Sequence, residues 1–391
     1  MVIRENYLAK IRPFIGKDII KVLTGIRRGG KSVLLEQIRD EIGSPNTIFL
    51  NFEDLGNQHL CEYNALHDYV CEKIGDSKEQ FYLFFDEVQE VQGWEKAVNS
   101  LRVKFHADIY ITGSNSRLLS GELATYIAGR YISFVVYPFS FTEFQMADPG
   151  LTFHQYIQYG GMPFLSSINF EPEISKNYLQ DIFNSVVLKD IVKRNNIRDV
   201  DLLERIIAYA LANVGRSFSA TSISKFFKAE NRTAAPETIL NYLKACEEAY
   251  LLYRLKSQNI NGKKVLKVNE KYYVADHGLR EAVIGSNLQN VEIVLENIVG
   301  LELLRRGYKV CVGRVGTKEI DFVGEKQGYK LYIQVCYLLS DEATIQREFG
   351  SLLEVRDNYP KLVLYKEGSF RGNYEGIPAM RIEDWLAGKN V

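Results

Sequence analysis

The chain is short of the features that mark secreted or membrane-spanning proteins. Its five cysteines (Cys61, Cys71, Cys246, Cys311 and Cys336) are odd in number, scattered, and form no C-x-x-C pair. That fits reduced, mostly buried thiols of a cytosolic protein better than a disulfide framework. No apolar run approaches the length of a bilayer span, and Met1-Val2-Ile3-Arg4-Glu5 lacks the apolar core of a leader. A cytoplasmic location with no membrane partner is therefore expected. An excess of one charge is missing too: 48 Lys and Arg face 49 Asp and Glu, a net charge of −1. This argues against coating nucleic acid by bulk charge and leaves a local basic patch open. The composition, 46% apolar and 25% charged, is that of a soluble globular protein, and 391 residues suffice for roughly two to four domains.

What the chain does have is a complete G-x-x-x-x-G-K-[ST] loop, Gly25-Ile26-Arg27-Arg28-Gly29-Gly30-Lys31-Ser32. The apolar run Ile19–Leu23 precedes it as a strand, and Leu34, Leu35, Ile38 and Ile42 follow at helical spacing. Strand, glycine loop and helix together make a phosphate-binding context. Free N–H groups at the helix start favour anions, and glycines let the backbone wrap closely. The expected ATP cradle is Gly25, Arg27, Arg28, Gly29, Gly30, Lys31, Ser32 and Val33. Lys31 is expected at the β- and γ-phosphates, and the Ser32 hydroxyl on Mg²⁺.

Other stretches supply the rest of such a site. Phe81-Tyr82-Leu83-Phe84-Phe85 reads as a central parallel strand ending in Asp86-Glu87. Asp86 is expected in the Mg²⁺ shell and Glu87 as the general base for water. Thr47–Phe52 and Asp108–Asn115 read as further strands, and Trp94, Val98, Leu101 and Phe105 as one helix face. Ser114 or Asn115 either touches the γ-phosphate and water or caps the next helix. Arg130, before a strand over 132–137, is a candidate charge-stabilising finger, with Arg27 and Arg28 as rivals. Arg4, Tyr7 and Leu8 either border an adenine pocket or form a capping helix.

The domain reading is 1–150 for the phosphate-loop unit, 151–200 for a helical linker or lid broken at Tyr159-Gly160-Gly161-Met162-Pro163, 201–285 for a winged helix-turn-helix, and 286–391 for a small α/β domain. In the third segment a helix beginning at Ile206-Ile207-Ala208 and helices over 222–227 and 236–250 precede strands 251–255 and 264–268 around Asn261-Gly262. Thr238, Asn241 and Ala245 are expected on the exposed face of its third helix, with Arg232 before it and Lys263-Lys264 on the wing. Residues 216–264 hold nine Lys/Arg against four Glu, which favours double-stranded DNA, although Glu237, Glu247 and Glu248 oppose it. A protein-contact module is the alternative. The last segment orders helix, three strands, helix, strand, as in restriction-endonuclease-like domains. It puts Glu296, Asp321 and Gln334 at the acidic positions, with Cys336 where a lysine belongs. A thiol supplies no fixed positive charge, so nuclease activity is not expected.

These parts together resemble a prokaryotic family that joins an AAA-like phosphate-loop ATPase core to a C-terminal region of unknown function with winged-helix and nuclease-like elements. The resemblance rests on the loop itself, Phe85-Asp86-Glu87-Val88-Gln89, Ile111 to Ser116, Ala128-Gly129-Arg130-Tyr131, Tyr137-Pro138-Phe139-Ser140-Phe141-Thr142-Glu143-Phe144, Tyr159 to Pro163, Leu188 to Ile191, Lys271 to Asp276 and Glu319 to Val323. It implies ATP binding and a nucleotide-sensing role for Arg130, in its own chain or on a neighbour's ATP. The expected function is a Mg²⁺-dependent ATPase that couples nucleotide state to the C-terminal domains, with DNA, a protein partner or self-association as the receiver. The rival is a nucleotide-gated signalling or scaffold switch with little turnover.

Overall fold

A computed structural model of the chain describes residues 1–119, 129–260, 270–285, 291–368, 370 and 372–389. Asn261-Gly262, Lys263-Lys264, the strand expected over 264–268, and Ala128 lie outside them. The chain packs as two units: residues 1–138 with 248–250, and residues 139–247 with 251–391.

The first unit is a parallel sheet in the order β2-β3-β4-β1-β5, formed by β1 (Ile20–Thr24), β2 (Thr47–Asn51), β3 (Phe81–Asp86), β4 (Ala107–Gly113) and β5 (Tyr131–Val135). Every residue of β1 and β4 is buried, as their position between other strands requires. Helices α1 (Glu5–Ile11), α2 (Lys31–Ile42), α3 (Tyr63–Ile74) and α4 (Trp94–Lys104) accompany it. The expected face of α4 is confirmed by burial of Trp94, Val98 and Leu101.

The sheet also buries an ion pair. Lys21 on β1 bonds Asp108 on β4, and both side chains are fully buried. Asp108 further accepts from the Gly16 N–H at 2.7 Å and the Tyr110 hydroxyl at 2.9 Å. Burial pulls the Lys21 ammonium below its usual pKa, against the pull of Asp108.

In the second unit, α5 (Phe141–Ala147) begins in a capping box. Ser140 Oγ accepts from the Glu143 N–H at 3.2 Å, and Glu143 Oε2 accepts from the Ser140 N–H at 2.9 Å. The Ser-x-x-Glu spacing inside the Pro-Phe-Ser-Phe-Thr-Glu-Phe stretch thus has a local cause. Phe141 and Phe144 pack on Tyr156 of α6 (Phe153–Tyr159), with ring centroids 5.6 and 5.1 Å away. Gly160 and Gly161 form a tight crossing. A Cβ on Gly160 would stand 2.2 Å from Asp276 Oδ1, and one on Gly161 2.3 Å from the Phe139 carbonyl oxygen. Asp276 Oδ2 accepts from the Gly161 N–H at 2.7 Å, so the break before Met162-Pro163 is a buried clamp. Beyond it runs α7 (Pro172–Ser185), continued by π-helical turns over Val186–Lys193.

Next come α8 (Val200–Ala212), β6 (Ser217–Phe218), α9 (Ala220–Ala229), α10 (Pro236–Glu248), β7 (Leu252–Leu255), β8 (Ser257–Asn259) and β9 (Glu270–Val274). Strands β6, β9 and β7 make a small sheet in which β7 pairs antiparallel with β9. The strand paired with β7 is therefore 270–274, whereas β8 joins another sheet. After α11 (His277–Ile284) and α12 (Val291–Arg305), the elements are β10 (Lys309–Val315), β11 (Lys318–Lys326), β12 (Tyr329–Leu339), α13 (Glu342–Leu353), β13 (Lys361–Gly368), β14 (Asn373–Tyr374), β15 (Ile377–Arg381) and α14 (Ile382–Leu386). The order read from sequence is present and is extended by β14, β15 and α14. Among the described residues this second sheet runs β14-β15-β13-β12-β11-β10-β8.

Replacing Asp108 by Asn leaves a buried ammonium poorly matched and is expected to cost about 3–5 kcal/mol in denaturant unfolding of the first unit. The pair variant Lys21→Met with Asp108→Leu is expected to lose much less. Equal losses would show that the ion pair is not the cause.

Candidate functional site

The phosphate loop joins β1 to α2 through backbone that side chains resist. Gly25 has φ +143° and Gly30 φ +94°. A Cβ on Gly25 would lie 2.2 Å from the Val136 carbonyl oxygen. Arg28 adopts φ +62° at an exposed apex, and Arg27 donates to Glu53 Oε1 at 3.0 Å. Val33 lies exposed in the first turn of α2. The buried Lys31 ammonium donates to the Gly25 carbonyl at 3.1 Å and the Ile26 carbonyl at 3.0 Å, with Glu87 Oε1 3.9 Å away.

Arg4 supports this loop from behind. Its guanidinium donates to the Gly29 carbonyl at 3.1 Å and the Tyr137 carbonyl at 2.9 Å. Its carbon lies 4.6 Å from the Tyr7 ring centroid, and Tyr7 Oη accepts from the Tyr137 N–H at 3.0 Å. Arg4, Tyr7 and Leu8 are all buried. The lead-in thus packs as a helix whose Arg4 and Tyr7 brace the loop.

Asp86 ends β3 beside the loop and Glu87 follows it, and both are buried. Burial raises the Asp86 carboxyl pKa, opposed by hydrogen bonds from Thr112 and Ser32. Thr112 Oγ1 donates to Asp86 and accepts from the Glu87 N–H at 2.9 Å. Glu87 sits at φ +52°, an uncommon conformation for a non-glycine residue, and its carboxylate accepts from the Gln89 amide. Ser32 and Asp86 offer a hydroxyl and a carboxylate oxygen, hard donors suited to a small divalent cation that keeps several waters. No local signal assigns a role to Thr112 or Gln89. Their positions follow from pairing and turn geometry that only the fold supplies.

Register decides the remaining candidates. Thr24 is opposite Gly113 across β1 and β4. Ser114 and Asn115, both buried, therefore emerge on the same sheet edge as the loop. Arg130 does not. The Ile20 N–H donates to its carbonyl at 2.9 Å, and Ile20 pairs with Tyr131. It thus precedes the start of β1, about 13 Å of strand from the loop. Its exposed guanidinium donates to Asn99 Oδ1 at 2.9 Å.

In the second unit Glu296 on α12, Asp321 on β11 and Gln334 on β12 do converge. Asp321 Oδ2 accepts from the Val335 N–H at 2.9 Å, and Gln334 Oε1 accepts from the Asp321 N–H at 3.4 Å. Cys336 is buried, and burial pushes its thiol pKa up. Burial and the Glu296 charge raise the Asp321 carboxyl pKa, while Lys271 opposes them. Burial lowers the Lys271 ammonium, but Glu296, Asp321 and Glu319 outweigh it and leave it raised.

On α10, Ala245 is buried, contrary to expectation, while Glu237, Leu240, Asn241 and Lys244 are exposed. Helical periodicity marks the most apolar stripe, and a small residue on its flank is covered by other elements. Arg232 is paired with Asp201, and Arg254 with Glu247 at 3.2 Å and Glu270 at 3.3 Å, so part of the local basic excess is already engaged.

Comparison with known proteins agrees with the loop and the sheet. Residues 17–145 match a family model described as an AAA domain, and residues 150–290 match one described as a domain of unknown function, DUF8612. An uncharacterized protein of Haemophilus influenzae is 40% identical over 99% of this chain and 98% of its own length. One from Methanocaldococcus jannaschii is 34% identical over 94% of this chain and 89% of its own. Among solved structures, AMPPCP-bound DnaA from Aquifex aeolicus is 14% identical, with 63% of this chain and 90% of that one covered and a TM-score of 0.34. With near full-length relatives at this identity, the chain belongs to the prokaryotic family that joins an AAA-type phosphate-loop domain to a C-terminal region of unknown function.

Proposed function

We propose that the first unit binds Mg²⁺–ATP, hydrolyses it, and passes its nucleotide state to the C-terminal elements. The observation that carries this reading is the hydrogen-bonded run Ser32–Asp86–Thr112–Glu87 beside the phosphate loop. Bound Mg²⁺ would supply charge neutralisation at the β- and γ-phosphates, held by Ser32 and Asp86. Lys31 would exchange the loop carbonyls for phosphate oxygens. Glu87, aimed by its left-handed backbone, would take a proton from water, and Asn115 would orient the γ-phosphate side.

A route for the signal begins at Thr24, the residue before Gly25. Tyr250 belongs to the first unit and donates its hydroxyl to Thr24 Oγ1 at 2.8 Å. It stands two residues beyond the end of α10, at φ +57°. A loop that shifts on binding phosphate would strain this bond and so act on α10. Helices α8, α9 and α10 with sheet β6-β9-β7 have the order of a winged helix-turn-helix, which supports that assignment for 201–285. Exposed Arg216, Lys225, Lys228 and Lys244 favour double-stranded DNA as the receiver.

Lys31→Ala is expected to abolish ATP binding and phosphate release. Glu87→Gln is expected to keep binding and slow release by about 10²–10⁴-fold. Equal turnover in wild type and both variants would refute the ATPase, whereas tight ATP binding with negligible wild-type turnover would favour the switch. ATP hydrolysis with double-stranded DNA should rise at low salt and fall back at high salt if the basic surface meets phosphate. No response at either salt would point to a protein receiver.

Arg130 lies too far along the sheet to serve its own loop, so its finger role requires a neighbouring copy. Lys31→Ala and Arg130→Ala should each be inactive, and mixing them should restore turnover, because the first donates Arg130 to the second's intact loop. A mixture as inactive as its parts would remove Arg130 from catalysis.

A further inference from the structure

The carboxylates of the nuclease-like region surround a side chain from another sheet. Lys271 lies on β9, outside the sheet that carries β11 and β12. It is 3% exposed. Its ammonium is 2.8 Å from Glu296 Oε1, 2.8 Å from Glu319 Oε1 and 3.9 Å from Asp321 Oδ1. We propose that the Lys271 ammonium occupies the cation position of this nuclease-like region, making Glu296, Glu319 and Asp321 a permanent internal salt cluster in place of a metal site.

The remaining bonds at the cluster fit a closed arrangement. Glu296 Oε1 also accepts from the Tyr273 hydroxyl at 2.6 Å. Glu319 Oε2 accepts from Arg314 at 3.2 Å. Asp321 Oδ2 is taken by the Val335 N–H. Gln334 Oε1 is shared by the Asp321 N–H and the Ser351 hydroxyl, both at 3.4 Å, and a neutral amide adds no charge for an ion. Lys271 and Arg314 thus face Glu296, Glu319 and Asp321, while the buried Glu348, which also acts on Asp321, is paired with Arg347 at 2.7 Å. Among the described residues no set of His, Cys, Asp and Glu is arranged to hold a metal ion.

The chemistry differs from a lysine that has merely moved. A water-activating lysine stands beside a metal and leaves the carboxylates to it. Here the ammonium bonds Glu296 and Glu319 directly and lies within ion-pair distance of Asp321, so a divalent ion would have to expel a buried, matched cation. The cluster also ties β9 of the small sheet to α12 and β11. What resembles a worn catalytic site is then a joint between two layers of the second unit, and it explains why Lys271 and Tyr273 stand two apart on one strand: both reach Glu296.

Mn²⁺ titration of the full chain by calorimetry, with plasmid nicking in parallel, tests this. Wild type and Asp321→Asn should give the same isotherm, any heat arising elsewhere, and neither should nick DNA. Lys271→Ala should gain an added site, at least about tenfold tighter than any in wild type, that the further change Asp321→Asn removes. A wild-type Mn²⁺ site lost in Asp321→Asn, or nicking lost in Lys271→Ala, would overturn the proposal. If Lys271→Ala fails to fold, the comparison of wild type with Asp321→Asn and with the more exposed Glu319→Gln decides it alone.

Discussion

Thr112 lies one residue before the end of β4 and turns its hydroxyl toward β3, where it donates to Asp86 and accepts from the Glu87 N–H. That one group bonds both the Asp86 carboxylate and the Glu87 backbone. Asp86 is desolvated, and the hydroxyls of Thr112 and Ser32 offset part of what burial costs its charged form. Glu87 sits in left-handed backbone, at a cost of about 1–2 kcal/mol for a residue with a Cβ. Its N–H bond to Thr112 helps hold it there. The bond forms only because β4 lies next to β3 in parallel register, with Phe85 opposite Ile111. The strand order β2-β3-β4-β1-β5 is thus a condition of the site, since β4 must touch the phosphate-loop strand on one side and the carboxylate strand on the other.

The second unit is held by contacts of the same long-range kind. Asp276 caps α11 through the Leu279 N–H and takes the Gly161 N–H from more than a hundred residues away. The two glycines are required by that approach, because a Cβ on either would meet an oxygen within about 2.3 Å. Tyr159-Gly160-Gly161 and the Asp at the end of Lys271 to Asp276 are two halves of one clamp. The Lys at the start of that stretch serves the carboxylate cluster. Six residues therefore bind α6 at one end and α12 with β11 at the other.

Local signals carried much of the fold. The glycine loop between an apolar strand and an amphipathic helix, the apolar run ending in Asp86-Glu87, and the strand and helix order of 291–366 were all readable, with boundaries shifted by a few residues. The loop residues and the two carboxylates of the candidate site were legible as candidates for the same reason: spacing and neighbours along the chain single them out. What sequence could not supply was pairing across the fold. Nothing near Arg4 announces that it braces Gly29, and nothing near Thr112 announces its two partners. Arg130 looked adjacent to the chemistry until parallel pairing with β1 put it at the other end of the strand. Ala245 fits an exposed stripe by periodicity and is covered by packing.

The two lysines at the centre of this chain show why one site reads as open to ligand and the other as filled. Lys31 is held by the neutral carbonyls of Gly25 and Ile26, with the Glu87 carboxylate farther off at 3.9 Å. Phosphate oxygens carry charge, so an ammonium beside them gains a Coulomb attraction between opposite charges that a neutral carbonyl does not offer. In the proposed function a phosphate would take the place of those carbonyls, and the loop apex at Arg28 is exposed. Lys271 already has full carboxylates at 2.8 Å and almost no exposure. No incoming group offers that ammonium a better partner, and its departure would leave the buried Asp321 and the part-buried Glu296 and Glu319 unmatched.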